Sequence, residues 1–163
     1  MSLLEDVVSR FMRGATAFVG DKELLRAAVS AVSQVIVSDD EVHQTEVRMA
    51  VEELRTDAVL RGEYSTSAVE DELASGIARA RTLPGRLDNL TYISAIKDRP
   101  IEQRNSVFLI AYDVAVAHRG LSEVEGCVLD AIANILSVEK KDLVEIARAR
   151  SLLLGIPDPS QEN

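Results

Sequence analysis

The stretch PIEQRNSVFLIAYDVAVA, residues 100–117, carries apolar side chains at Val107, Phe108, Leu109, Ile110, Tyr112, Val114 and Val116. At 3.6 residues per turn these positions surround a helix instead of lining one face, so the segment predicts a buried central helix with other helices packed around it. Pro100 suits its first turn, where the missing N–H has no intrahelical partner to lose. From Val107 to Ala117 the apolar run is broken by Asp113 and reaches about half the length of a membrane span, which points to a core helix.

Working outward, nearly every other segment has a helical period, and sustained β-type alternation is absent. Leu3, Leu4, Val7, Val8 and Phe11 form one face of a short first helix ending near Gly14. Asp21 caps a second, whose Leu24, Ala28, Ala31, Val32 and Val35 make an apolar stripe. A third is expected from Gln44 to Leu60, stopped by Gly62. A fourth starts at Ser65–Ser67 and runs to Ala80, ended by a break at Leu83-Pro84-Gly85, and a fifth spans Asp88 to Lys97. Beyond the central helix, Ser122 opens a seventh to Leu136, and an eighth runs from Lys140 to Leu153. The expectation is an all-α, single-domain bundle of seven to eight helices over residues 1–154, with a disordered tail at 155–163. A shift of 79 residues superposes Ala31 on Ile110, Val35 on Val114, Val42 on Leu121 and Glu46 on Glu125, a weak duplication of a helix-turn-helix unit.

A chain of 163 residues with 47% hydrophobic residues can bury a core unaided, and is too apolar for intrinsic disorder. Its net charge of -9 disfavours nucleic acid and anionic lipid as partners. One cysteine, Cys127, excludes an internal disulfide and is expected to be a small core residue in a reducing, cytoplasmic setting. The N-terminus has acids where a secretory signal would have bases, and no transmembrane segment is expected. Eleven acids against three arginines crowd residues 38–72, while residues 73–119 hold seven bases against four acids.

The acidic stretch centres on Ser38-Asp39-Asp40-Glu41-Val42-His43-Gln44-Thr45-Glu46, four carboxylates and an imidazole at a helix entrance. Closely spaced carboxylates are what a hard divalent cation such as Ca²⁺ or Mg²⁺ requires, although the glycine-centred loop of an EF-hand is absent. The same acids also suit a helix N-terminus, where the macrodipole favours negative charge and a glutamate at the third position closes a capping box. Ser122-Glu123-Val124-Glu125 fits that box directly.

A small-residue helix, a turn with an aspartate, a hydrophobic residue three positions later and a glutamate seven positions later, occurring twice, resembles the TerB family of tellurite-resistance-associated proteins. In the first copy Asp39, Val42 and Glu46 match, with Asp40 where the family usually has glycine; in the second, Leu121 and Glu125 match, while His118 and Arg119 replace the aspartate and glycine. The resemblance spans roughly residues 20 to 150. It implies a non-enzymatic helical domain with a cation-binding acidic surface, acting with protein partners in stress-response complexes at the inner face of the membrane. The metal ligands it suggests are Asp39, Asp40, Glu41 and Glu46, joined by Glu125 if the bundle brings the two turns together. The second copy is the weaker, because Arg119 would repel a cation.

Other chemistries have less behind them. His43 and His118 with a carboxylate could hold Zn²⁺, but both sit in turns where histidine is ordinarily solvated. No GxSxG, HExxH, P-loop or GxGxxG motif is present, and His118 and Cys127, nine residues apart across a turn, would meet only by accident of packing, so no enzyme is expected. The first helix has acids beside its arginines, which favours packing on its own bundle over membrane attachment. Arg79, Arg81 and Arg86 form a basic cluster able to dock an acidic partner or a second copy in a homodimer. The alternative to the cation module is a metal-independent scaffold that binds a protein partner through apolar grooves.

Overall fold

The computed structural model describes residues 22–57, 59–60, 64–117 and 120–155, and among them the chain forms seven helices and no strand. They are α1 (22–36), α2 (Gln44–Thr56), α3 (Thr66–Ala80), α4 (Leu83–Ser94), α5 (Ile101–Val116), α6 (Glu123–Leu136) and α7 (Lys140–Leu153). The expected first helix, the Asp21 cap, Gly62, His118, Arg119 and the tail beyond Gly155 lie outside the described residues. No described helix is long and apolar enough to cross a membrane.

α5 is central, packed against α2, α6 and α7, with Val107, Phe108, Ile110, Ala111, Val114 and Ala115 shut off from solvent. α1 departs from its one-sided stripe. Leu25, Ala27, Val29, Ser30, Ser33 and Ile36 are buried along with the predicted face, so the bundle has two enclosed helices. Its alanines and serines let neighbours approach from every side. Against α3 the approach is so close that a Cβ on Gly76 would fall onto Ser33 Oγ, which is why glycine stands there.

Several helix ends depart from the sequence expectation. α2 stops at Thr56 and not Leu60, because Asp57 leaves helical geometry and its Oδ1 accepts from the amides of Val59 (2.9 Å) and Leu60 (3.0 Å), competing with the helical ladder. Leu83-Pro84-Gly85 is the first turn of α4 and no break. Thr82 caps it by accepting from Gly85 N at 3.1 Å, and proline needs no partner there. Gly85 is required, since a Cβ would collide with the Arg79 carbonyl. α4 therefore spans Leu83–Ser94 in place of 88–97. Ser65 and Ser122 cap α3 and α6 and α7 starts at Lys140, as the sequence predicts, whereas Pro100 stands just before α5 as its N-cap residue and not in its first turn.

Cys127 is exposed, contrary to the expectation of a core residue. α6 buries Glu125, Leu129, Ile132 and Leu136, and residue 127 lies two positions, about 200° of helical turn, from the first of these. The basic cluster is largely consumed within the fold. Arg86 Nε donates to the Ala80 carbonyl at the end of α3 (2.8 Å), and Arg79 Nε donates to Asn89 (2.8 Å) with its guanidinium 5.0 Å from the Tyr92 ring centroid.

Candidate functional site

The loop between α1 and α2 is built by local hydrogen bonds. Ser38 N and Oγ both donate to the Val35 carbonyl (3.1 and 2.7 Å), Asp40 N donates to Val37 O (3.2 Å), and Glu41 N donates to Asp39 Oδ1 (3.2 Å). Asp40 takes a left-handed φ of 65°, a conformation that glycine, asparagine and aspartate tolerate best. This reversal divides the acids. Asp39 and Glu41 stay on the side of His43, whose Nε2 lies 3.7 Å from Asp39 Oδ2 and 3.6 Å from Glu41 Oε2. Asp40 faces a different cavity, of about 350 Å³, with Gln34, Val37, Arg86, Val124 and Val128.

The bundle does bring the two turns together. Asp39, Glu41, His43 and Glu46 line one cavity of about 320 Å³ with Gly120, Leu121, Ser122 and Glu125. Glu46 and Glu125 are 1% and 4% exposed, although each is the third residue of its helix. Glu46 Oε2 accepts from His43 N at 3.4 Å, and Glu125 Oε2 from Ser122 N at 2.7 Å, while Ser122 Oγ accepts from Glu125 N at 3.2 Å. Both capping roles expected from the sequence are therefore present, and both caps open onto the same space.

The electrostatics of the cavity are those of crowded acids. Burial, reinforced by Asp39 and Glu125, raises the Glu46 carboxyl to about 7 against the opposing pull of the His43 amide and imidazole. The oxygen-rich lining is of the class that holds a hard cation. Yet among the described residues no three side chains of His, Cys, Asp and Glu converge closely enough to form a metal centre. Four of the five expected ligands thus share a cavity without forming a coordination shell, and Asp40 is apart from them. Of the two histidines considered for zinc, only His43 lies among the described residues.

A second group of acids goes beyond the sequence expectation. Arg150 Nη2 on α7 donates to Asp113 Oδ2 on α5 at 3.2 Å, and Glu53 on α2 feels the charges of both. Burial, then Asp113 and Asp57, raises Glu53 to about 7, with Arg150 opposing; burial likewise raises Asp113. The available signal is Asp113 itself, a lone charge in the apolar run of the central helix.

Compared with protein-family models, curated proteins and solved structures, the chain matches none.

Proposed function

We propose that this chain is a non-enzymatic TerB-like module of the tellurite-resistance and stress-response type. Its acidic cavity takes a divalent cation, Ca²⁺ or Mg²⁺ before Zn²⁺, and the loaded surface docks a protein partner in the cytoplasm, at the periphery of the inner membrane. The observation that carries the reading is the meeting of Glu46 and Glu125, from two separate helix-turn-helix units, on one cavity with Asp39 and Glu41. The duplication read from the sequence is supported by the same pairing: enclosed α1 leads to α2, enclosed α5 leads to α6, and each second helix begins with a buried capping glutamate. Coordination requires Asp39 or Glu41, which line the cavity beside His43, to turn from the imidazole toward Glu46 and Glu125. Both residues are exposed, so both have room to do so. The Ser122 hydroxyl on the cavity wall is engaged in its cap, which favours binding over catalysis.

A cation-independent docking module is the second reading, favoured by the cavity lined with Val37, Val124 and Val128 and by the exposed Leu83 and Leu87 on α4. Thermal melts of chelator-treated protein against Ca²⁺, Mg²⁺, Mn²⁺ and Zn²⁺ separate the two. A saturable shift with one ion supports the cation module; superposed curves leave the docking module.

A further inference from the structure

Tyr92 on α4 carries a guanidinium from each of two other helices. The guanidinium carbon of Arg26, on α1, lies 5.2 Å from its ring centroid, and that of Arg79, on α3, lies 5.0 Å from it. Each contact is favourable as a cation–π pair, but two like charges on one ring repel each other. The fold supplies little to offset them. Arg79 has no carboxylate at ion-pair distance among the described residues, and its Nε donates to a neutral amide, Asn89 Oδ1. Arg26 has one acid beside it, Glu72, at 3.7 Å, too far for a hydrogen bond.

Hydrogen bonding leaves the same deficit. Arg26 Nε and Arg79 Nη2 are buried donors without an acceptor among the described residues, and the hydroxyls of Ser30 and Ser33, both fully buried, are likewise without a partner. Arg26, Ser30 and Ser33 follow at i, i+4 and i+7 on α1, the face that meets α3 at Gly76. Two acceptors at this junction are already spent: Asn89 Oδ1 on Arg79, and the Gly76 carbonyl on Asn89 Nδ2 at 3.2 Å. A guanidinium can only donate, so what the junction of α1, α3 and α4 lacks is a negatively charged acceptor. The Arg26 side chain is 33% exposed and Arg79 is half-buried, so both remain reachable from solvent.

We propose that Arg26 and Arg79, presented on Tyr92, form a binding site for an oxyanion of the phosphate class. The guanidinium fork matches the spacing of phosphate oxygens, and two forks from separate helices suit a dianion better than a single carboxylate. The net charge of -9 works against loose attraction of anions, so binding depends on these two side chains and not on the field of the whole molecule. Glu72 opposes an incoming anion at Arg26. The site shares no residue with the acidic cavity and holds whether or not that cavity takes a cation.

Isothermal titration calorimetry with inorganic phosphate tests it, on chelator-treated protein at an ionic strength held near about 0.15 M with NaCl. The wild type is expected to bind one phosphate per chain, saturably. Arg79→Gln and Arg26→Gln are each expected to weaken binding about tenfold or more, and Glu72→Gln to tighten it severalfold. Arg81→Gln, at an exposed arginine just past α3, is expected to leave it unchanged. O-phosphoserine separates the sources of the group. Binding at least as tight as that of phosphate marks an ester carried on a larger molecule, and binding of phosphate alone marks the free ion. Saturation by neither probe overturns the site. So does wild-type affinity in Arg26→Gln and Arg79→Gln, or a loss in Arg81→Gln as large as theirs. Should Arg79→Gln fail to fold, Arg26→Gln decides alone.

Discussion

Glu46 and Glu125 occupy the same station in two helices, the third residues of α2 and α6, and each returns its carboxylate to the amide that opens its own helix while standing on the wall of a shared cavity. A capping glutamate ordinarily sits at the surface, where water stabilises its charge. Here both are buried, so the caps place acid where a compensating cation is favoured, and for Glu46 burial also favours the protonated form.

If a cation supplies that compensation, chelator-treated protein gains stability on titration. An ion at about a hundred times its dissociation constant adds ~2.7 kcal/mol, enough to raise the melting temperature of a domain this size by several degrees. Asp39→Asn and Glu46→Gln are each expected to abolish the shift. Retention of the full shift in both variants would place the ion elsewhere on the surface.

Stability should fall as pH rises through neutrality. Glu46 and Glu53 both hold their protons to about 7 in the fold, against 4.5 as the ordinary glutamate value. The native state thus binds more protons than the unfolded chain between those values. This contribution is fully present at acid pH below 4.5 and is lost by the time pH passes 7. Urea denaturation at about pH 5.5 and about pH 8 is expected to give the higher midpoint at the lower pH. The difference should shrink in Glu46→Gln and again in Glu46→Gln/Glu53→Gln. A wild-type midpoint that does not change, or rises, with pH contradicts the assignment.

Ser122→Ala and Thr82→Ala each remove a side-chain cap, and each should cost about 1 kcal/mol in chemical denaturation. Ser122→Ala should also leave the Glu125 carboxylate less firmly oriented. Its cation-dependent shift is therefore expected to weaken, while that of Thr82→Ala, remote from the acidic cavity, stays as in the wild type.

Gly76→Ala drives a methyl group onto Ser33 and Val29 at the α1–α3 contact and is expected to destabilise by about 1 to 3 kcal/mol. Phe108→Ala, at the centre of α5, should cost about 3 to 5 kcal/mol by leaving a cavity. Leu83→Ala, on the exposed face of α4, should stay within about 0.5 kcal/mol of wild type. Equal losses at Phe108 and Leu83 would contradict the burial pattern.

Much of the architecture is legible in the amino-acid order because local signals carry it. The all-round apolarity of residues 107–116 marks α5 as enclosed, Ser65 and Ser122 mark helix starts through caps that depend on residues three positions apart, and Pro100 marks one through its fixed φ. Sequence and structure diverge where a distant or competing contact decides. Pro84 reads equally as a stop or a first turn until Thr82 is seen to cap the helix that begins at Leu83. α1 reads as amphipathic because its alanines and serines are neutral in any periodic pattern, and only the neighbours packed on them bury every face. Cys127 has the residue type of a core position, whereas its helical phase puts it outside.

The sequence by itself determined that this protein is helical, where most of its helices begin, and that acids concentrate at the entrance of α2, because periodicity, capping and charge are properties of short segments. Only the tertiary structure decided that Glu125 joins Glu46 across 79 residues, that Asp40 turns away from its neighbours, and that Asp113 meets Arg150. Those relations depend on which helix faces pack together, and burial then changes the chemistry of carboxylates that look alike in the chain.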